Sequence, residues 1–292
     1  MLIKNIIFVN KMSENWSTVI TSKSKWYKLN LKEIWDYRDL IAIFVKRDII
    51  SIYKQTVLGP VWFLLGPLFT VFTYTFLFSE VAHLSTDGLP GPLFYLGGTT
   101  FWNYFQACFN GAASTFSANA SIFGKVYFPR LVTPISMVIS QLLKLSFQFL
   151  TYFCFLFYYA YSTDLIRIDF FYFILIPILI LNLGMISMGA GIIISSMTHK
   201  YKDLNMLVGI GLTLIMYATP IMYPSSSIPE FYKPFLSLNP ISPLIESFRY
   251  ITTGHGLFSI NDLLYSFLFG VFVVAIGVVV FNKTEKTFMD TV

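Results

Sequence analysis

Six long apolar stretches, nearly free of charge, constrain this chain more than any other feature. They run over residues 57–78, 93–113, 131–161, 171–195, 204–222 and 263–281. A helix rises ~1.5 Å per residue, so about 20 apolar residues cross a hydrocarbon core about 30 Å thick. In lipid the backbone must satisfy its own polar groups, and none of the stretches alternates as a barrel strand would, so each is expected to be a helix. Only 12% of the 292 residues are charged, about half the share a soluble domain carries. The expected fold class is therefore all-α integral membrane, with six transmembrane helices occupying residues 57–282. The third stretch is long enough to tilt or to run past one face of the bilayer.

Charge orients the bundle. Of the 20 Lys and Arg, all but Arg167, Lys233, Arg249 and the intramembrane Lys144 fall on the side that carries both termini. The positive-inside rule makes that side cytoplasmic. Glu80, Asp87, Asp164, Asp169, Glu230, Glu246 and Asp262 lie on the other. The formal net charge of +5 is thus a topological signal, and no nucleic-acid partner is implied. Residues 2–9 are too short and too interrupted for a secretory signal peptide. Cys108 and Cys154 both fall inside spans, where packing as small hydrophobes is expected and a disulfide is not.

The segments between the spans carry their own patterns. In the cytoplasmic segment 1–56, Leu31, Ile34, Trp35, Ile41, Val45, Ile49, Ile52 and Tyr53 share one broad helical face, while Lys32, Glu33, Asp36, Asp39, Lys46, Arg47 and Lys54 share the other. Arg38 and Asp48 intrude on the apolar side. Such an N-terminal amphipathic helix lies in the membrane interface, as a plain anchor or as a docking face. Residues 114–130 accommodate one brief helix before Pro129, and 198–203 form a compact charged turn. The outer segment 223–261 holds five prolines yet stays largely apolar. Two short helices, over about 230–238 and 243–252, are expected there, the second stopped by Gly254 and Gly256. Glu246 and Arg249, three apart, can pair. A segment this apolar dips back into the outer leaflet as two re-entrant helices, covered by protein or lining a cavity. The tail is 283–292.

Inside the bilayer, Lys144 is the one deep basic residue, with Gln141 and Gln148 at helical spacing. It suits either a polar seam that snorkels to the interface or a substrate contact. Asn110 and Asn182 are expected to bridge helices. The chain is rich in aromatics, with 31 Phe, 18 Tyr and 5 Trp. Trp62, Phe69, Phe72 and Phe76 form one stripe, and Phe94, Phe101 and Phe105 another. Both continue beyond the interfacial belts towards mid-membrane, which suits a stacking pathway for sugars or helix packing equally. There is no GxxxxGK[ST] loop, no HExxH, no Cys pair and no DxD. Hydrolysis of nucleotide by a P-loop and a metal site are therefore not expected, nor is an integral-membrane enzyme.

Several runs resemble a known family. Tyr37-Arg38-Asp39-Leu40, Val45-Lys46-Arg47-Asp48 and Tyr53-Lys54-Gln55-Thr56-Val57-Leu58-Gly59-Pro60-Val61-Trp62 are similar to the start of the permease subunit of O-antigen polysaccharide exporters, ABC transporters of the second exporter class. The run from Ser117 to Arg130, His199-Lys200-Tyr201-Lys202-Asp203-Leu204, and the run from Leu238 to Tyr250 resemble that family's loops in the same order. Teichoic-acid and capsule exporters share much of the pattern. The chain departs from it with Lys at 200 and 202, where Arg is usual, and with Ser242-Pro243.

The resemblance implies a homodimer in a bacterial inner membrane, joined by two ATPase subunits that bind ATP and Mg, with no cofactor in this chain. It implies a polysaccharide on a polyprenyl diphosphate, with membrane lipid around the path and O-antigen as the polymer; the alternative is teichoic acid, capsule, or a lipid or drug of the same exporter class. It further implies that Arg38, Asp39, Arg47, Phe123, Lys125, Tyr127, Tyr201 and Asp203 couple to the ATPase, with a coupling helix at 116–127. A channel along spans one, two and five would be lined by Trp62, Phe69, Phe72, Phe76, Phe101, Phe105 and Tyr217. Asn239, Pro240, Glu246 and Arg249 would belong to the outer gate.

Overall fold

The computed structural model describes residues 31–54, 59–163, 166, 170–198 and 203–288. Among them every regular element is helical. The leader is two helices, α1 (Leu31–Asp36) and α2 (Arg38–Lys54), separated at Tyr37. The first span begins at Trp62, later than the apolar run suggested, because Gly59 adopts φ +52° and leads through a 3-10 turn with Pro60. A left-handed residue followed by proline cannot continue a helix. The span then runs as α3 (Trp62–Tyr74) and a π-helical stretch, Thr75–Val81.

α4 (Gly91–Ala113) follows, with Pro92 in its first turn. After it come the short α5 (Thr115–Phe123), the 31-residue α6 (Val132–Ser162), and α7 (Ile176–Thr198) behind a 3-10 turn at Phe170–Leu175. α8 (Leu204–Tyr217) has 14 residues, about 21 Å of rise, and stops short of the expected 222. The reason is Pro220, which disfavours helix at Thr219 before it. The outer helices are α9 (Lys233–Leu238), entered through a 3-10 turn at Glu230–Tyr232, and α10 (Ser242–Thr253), ended by Gly254 at φ +76°. α11 (Ile260–Phe288) closes the chain.

Four of these rods, Trp62–Val81, Val132–Ser162, Phe170–Thr198 and Ile260–Thr284, are long and apolar enough to cross a membrane. α4 is long enough too, but Gly97, Gly98, Thr99, Thr100, Asn103 and Gln106 dilute its hydropathy. It sits at the centre of the protomer, packed against α3, α6, α7 and α10. α7 lies between α4 and α11, and glycine permits that approach. A Cβ on Gly189 would stand 2.7 Å from the Val274 nitrogen, and one on Gly277 2.8 Å from the Gly189 carbonyl oxygen. Small residues let membrane helices come backbone to backbone, so that dispersion contacts replace the hydrophobic effect that lipid cannot supply.

Polar seams complete the packing. Asn182 Nδ2 donates to Ser266 Oγ at 3.0 Å, and that hydroxyl donates to the Pro240 carbonyl at 2.7 Å. Asn182 thus bridges helices as expected, whereas Asn110 is exposed on the protomer surface. Cys108 is buried and Cys154 exposed, both as free thiols. Lys144 is half-buried on α6 with Nζ 5.8 Å from the Phe63 ring centroid of α3.

Candidate functional site

Three surfaces carry the residues singled out by the sequence. The first is the aromatic face of α3. Trp62, Phe69, Phe72 and Phe76 lie along one side of the span, and their exposure ranges from 50% at Trp62 to 74% at Phe72. α8 presents a comparable face, with Leu207, Ile210, Leu214 and Tyr217 exposed and Leu212 buried. Apart from that one buried face, α8 touches little of the rest of the chain. Aromatic side chains on such a face offer stacking area without directional bonds.

Phe101 and Phe105 correct the expectation that they share this lining. They are 1% and 3% exposed. Phe101 lies 4.5 Å from the Phe248 ring of α10 and 6.2 Å from Phe149 of α6, while Phe105 packs on Trp102 at 5.2 Å and Phe109 at 6.0 Å. The cause is the central place of α4: with neighbours on nearly every side, its aromatic stripe faces protein.

The second surface is the end of the bundle where the basic residues of the sequence gather. Arg38 and Asp39 at the start of α2 are exposed, with the Arg38 guanidinium 5.9 Å from the Trp35 ring. Arg47 is held rather than free: Nη2 lies 2.8 Å from Asp48 Oδ1 and the guanidinium stacks 4.7 Å from the Phe44 ring. Asp48 in turn accepts from Ser140 Oγ of α6 at 3.4 Å. The brief loop helix ends at Phe123, with Gly124 as its C-cap, so the expected helix 116–127 is shorter than predicted. Lys125 and Tyr127 lie beyond it, exposed next to exposed Val126. Phe123 is a second correction, because it is 3% exposed and packs within the protomer. It meets Phe116 at 6.2 Å and Phe128 at 5.6 Å, and Arg130 lies 5.1 Å above its ring. Asp203 is exposed just ahead of α8, and Tyr201 lies outside the described residues.

The sequence reading missed what joins these pieces. Phe44 of α2 packs edge-on to Phe128 at 5.8 Å, and Phe116 of α5 stacks on Phe281 of α11 at 4.6 Å. One buried aromatic cluster therefore ties the interface helix, the loop helix and the end of the last span together. The available signal was aromatic residues placed near the basic-flanked ends of separate apolar runs.

The third surface is the outer segment. Glu246 and Arg249 pair as their spacing suggested, Nη1 to Oε1 at 3.0 Å, but both are buried. Arg249 Nη2 also donates to the Ile221 carbonyl at 3.0 Å, and its guanidinium lies 3.8 Å from the Phe94 ring of α4. Glu246 Oε2 accepts the Leu257 amide at 3.3 Å. Each charge is compensated by hydrogen bonds as well as by its partner, the condition under which a buried ion pair is tolerated. Asn239 Nδ2 donates to Thr219 Oγ1 at 2.8 Å, and its Oδ1 accepts the Ile241 amide at 3.0 Å. With Pro240 accepting from Ser266, the α9–α10 corner is anchored to the turn just after α8 on one side and to α11 on the other. Among the described residues no cluster of three His, Cys, Asp or Glu could hold a metal.

Compared with known proteins, residues 39–253 match the model of the ABC-2 type transporter family, a span from the interface helix to the outer helices. The chain belongs to that family. It is 28% identical over 252 residues to the O-antigen export system permease protein of Klebsiella pneumoniae, covering 86% of this chain and 94% of that protein. The protein of the same name from Myxococcus xanthus is 27% identical over 230 residues, 78% of this chain and 85% of its own length. The polysialic acid transport protein of Escherichia coli is 23% identical over 263 residues, 86% and 95% of the respective chains. For a member of the ABC-2 type family, the exposed α3 and α8 faces and the aromatic knot joining α2, α5 and α11 are the features that need a role.

Proposed function

We propose that this chain is the membrane-spanning subunit of an ABC exporter that moves a polysaccharide, carried on a polyprenyl diphosphate, from the inner to the outer leaflet of a bacterial inner membrane. The observation that carries the reading is similarity over nearly the full length to permeases named for O-antigen export. The weaker match to a polysialic acid transport protein favours O-antigen over capsule as the polymer. In this reading six segments cross the bilayer, with α4 shielded by its neighbours and the short α8 seated beside them, and both termini are cytoplasmic.

Two copies of the chain place the exposed faces of α3 and α8 around one pathway. Trp62, Phe69, Phe72, Phe76 and Tyr217 then give the polymer flat apolar surfaces on which sugar rings slide without being held by directional bonds. Two separate ATPase subunits bind ATP and Mg and press on Arg38, Asp39, Lys125, Tyr127 and Asp203. The aromatic knot of Phe44, Phe116, Phe123, Phe128 and Phe281 passes that displacement to α2 and α11. Asn239, Pro240, Glu246 and Arg249 hold the outer corner in place, giving the gate a stiff frame.

The test is complementation in cells lacking their own permease, read as surface polysaccharide. The chain expressed with its ATPase partner restores the polymer at the surface. The purified chain alone hydrolyses no ATP and the assembled complex does. Hydrolysis by the lone polypeptide, or absence of surface polymer despite an assembled complex, contradicts the reading.

A further inference from the structure

A cavity of about 230 Å³ opens between α9, the start of α10 and the segment leading into α11. Ser225, Lys233, Ser242, Glu246, Leu257 and Asp262 are among the residues on its wall. Ser225 and Ser242 are 5% and 4% exposed, and neither hydroxyl has a hydrogen-bond partner. An unpartnered buried hydroxyl costs ~1–3 kcal/mol, so two on one wall mark a place where something else completes the bonding. The volume, at ~30 Å³ per water, holds about eight waters, room enough for a single sugar ring.

Charge narrows the class of occupant. The Glu246 carboxylate, neutralised by Arg249 at 3.0 Å, contributes little net field. At the mouth Asp262 and Lys233, both exposed, are of opposite sign. No excess of positive charge favours a phosphate or a carboxylate. Hydroxyls that both donate and accept, beside a carboxylate acceptor and the exposed apolar side chain of Leu257, match a neutral ring carrying several hydroxyls and C–H faces.

We propose that this cavity binds one neutral sugar ring of the exported polymer, with Ser225, Ser242 and Asp262 as its hydrogen-bonding partners. The proposal rests on the export reading above and assigns a substrate class to the outer corner of the molecule. Bound here, an emerging ring lies against the first turn of α10, which also carries the Glu246–Arg249 anchor to α4, so occupancy by polymer bears directly on the outer frame.

The experiment uses the full chain assembled with its ATPase partner in lipid nanodiscs. The probe is the one-repeat oligosaccharide released by mild acid from the host's own surface polysaccharide, titrated by saturation-transfer NMR. We expect saturable binding that the double variant S242A/D262N weakens about tenfold, as two lost hydrogen bonds of about 0.7 kcal/mol each require. Inorganic phosphate does not compete, and the control S117A, at an exposed position of α5, leaves binding unchanged. Asp262 is exposed, so D262N alone, expected to weaken binding about threefold, reads the site even if the Ser242 variant assembles poorly. No saturable binding, equal binding in wild type and D262N, or competition by phosphate overturns the proposal. Surface polymer is scored in the cells that supply the protein: polymer present with no oligosaccharide binding rejects this site alone, and polymer absent rejects the export reading itself.

Discussion

The α3 and α4 stripes are written in the same letters and do opposite things. On α3, Trp62, Phe69, Phe72 and Phe76 stand off the protomer, while on α4, Phe94, Phe101 and Phe105 are sealed inside it. Spacing and residue type do not separate them. What separates them is the number of neighbours. α4 is enclosed by α3, α6, α7 and α10, and its glycines and threonines let those helices close in. α3 packs on α4 and α6 along one side only, so its bulky face is left for lipid, a second copy or cargo. An aromatic in a membrane helix is therefore informative about function only after the packing partners of that helix are known.

The sharpest way to break the contrast is at the point where the buried stripe meets charge. Arg249→Ala leaves Glu246 buried without its cation and removes the guanidinium from the Phe94 face. A loss of ~3–5 kcal/mol is expected, read as severe loss of folded permease in the membrane. Replacing both residues by apolar ones of similar volume, Glu246→Leu with Arg249→Met, should recover most of that abundance. If Arg249→Ala accumulates normally, the outer helix does not anchor α4.

A smaller effect is expected where the enclosure itself is made. Gly189→Ala forces a methyl group to within 2.7 Å of the Val274 nitrogen. Separation of α7 from α11 should cost ~1–3 kcal/mol, measured as a lower melting temperature of the purified chain in detergent. An unchanged melting temperature would show that the glycine contact is not needed.

The smallest effects on stability, within ~0.5 kcal/mol, belong to the exposed positions just after α5. Lys125→Glu and Tyr127→Ala should leave abundance and melting unchanged yet lower partner-dependent ATPase activity. Phe123→Ala, at the last residue of the loop helix, should do the reverse and cost folded protein. Equal behaviour of Phe123 and Tyr127 would erase the distinction between the knot and the surface it supports.

Much of this was legible in the sequence, for physical reasons that also explain what was not. The run 93–113 lies within α4, 131–161 matches α6 to one residue at each end, and 171–195 covers most of the 3-10 turn and α7, because hydropathy and proline placement act locally. The Glu246–Arg249 pair followed from helical spacing, and the end of α10 from Gly254. The fifth apolar run was read as longer than α8, since hydropathy continues through Pro220 although the helix cannot. Phe101, Phe105 and Phe123 were misplaced for one common reason. Periodicity fixes which residues share a face, whereas the direction of that face is decided by tertiary contacts many residues away, such as Phe248 for Phe101 and Phe128 for Phe123. The two unpartnered serines of the outer cavity were invisible in the same way, because a serine announces nothing until its surroundings close over it.

The central claim is that exposed α3 aromatics serve transport and buried α4 aromatics serve folding. Surface polysaccharide and permease abundance, measured together in the same cells for Trp62→Ala, Phe72→Ala, Phe101→Ala and Phe105→Ala, test it most directly. The account predicts that the α3 variants lose surface polymer at normal abundance. The α4 variants, each losing ~3–5 kcal/mol of packing, should lose polymer only in proportion to protein. Parallel loss of protein and polymer in Trp62→Ala and Phe72→Ala, or undiminished export at normal abundance in both, would contradict it.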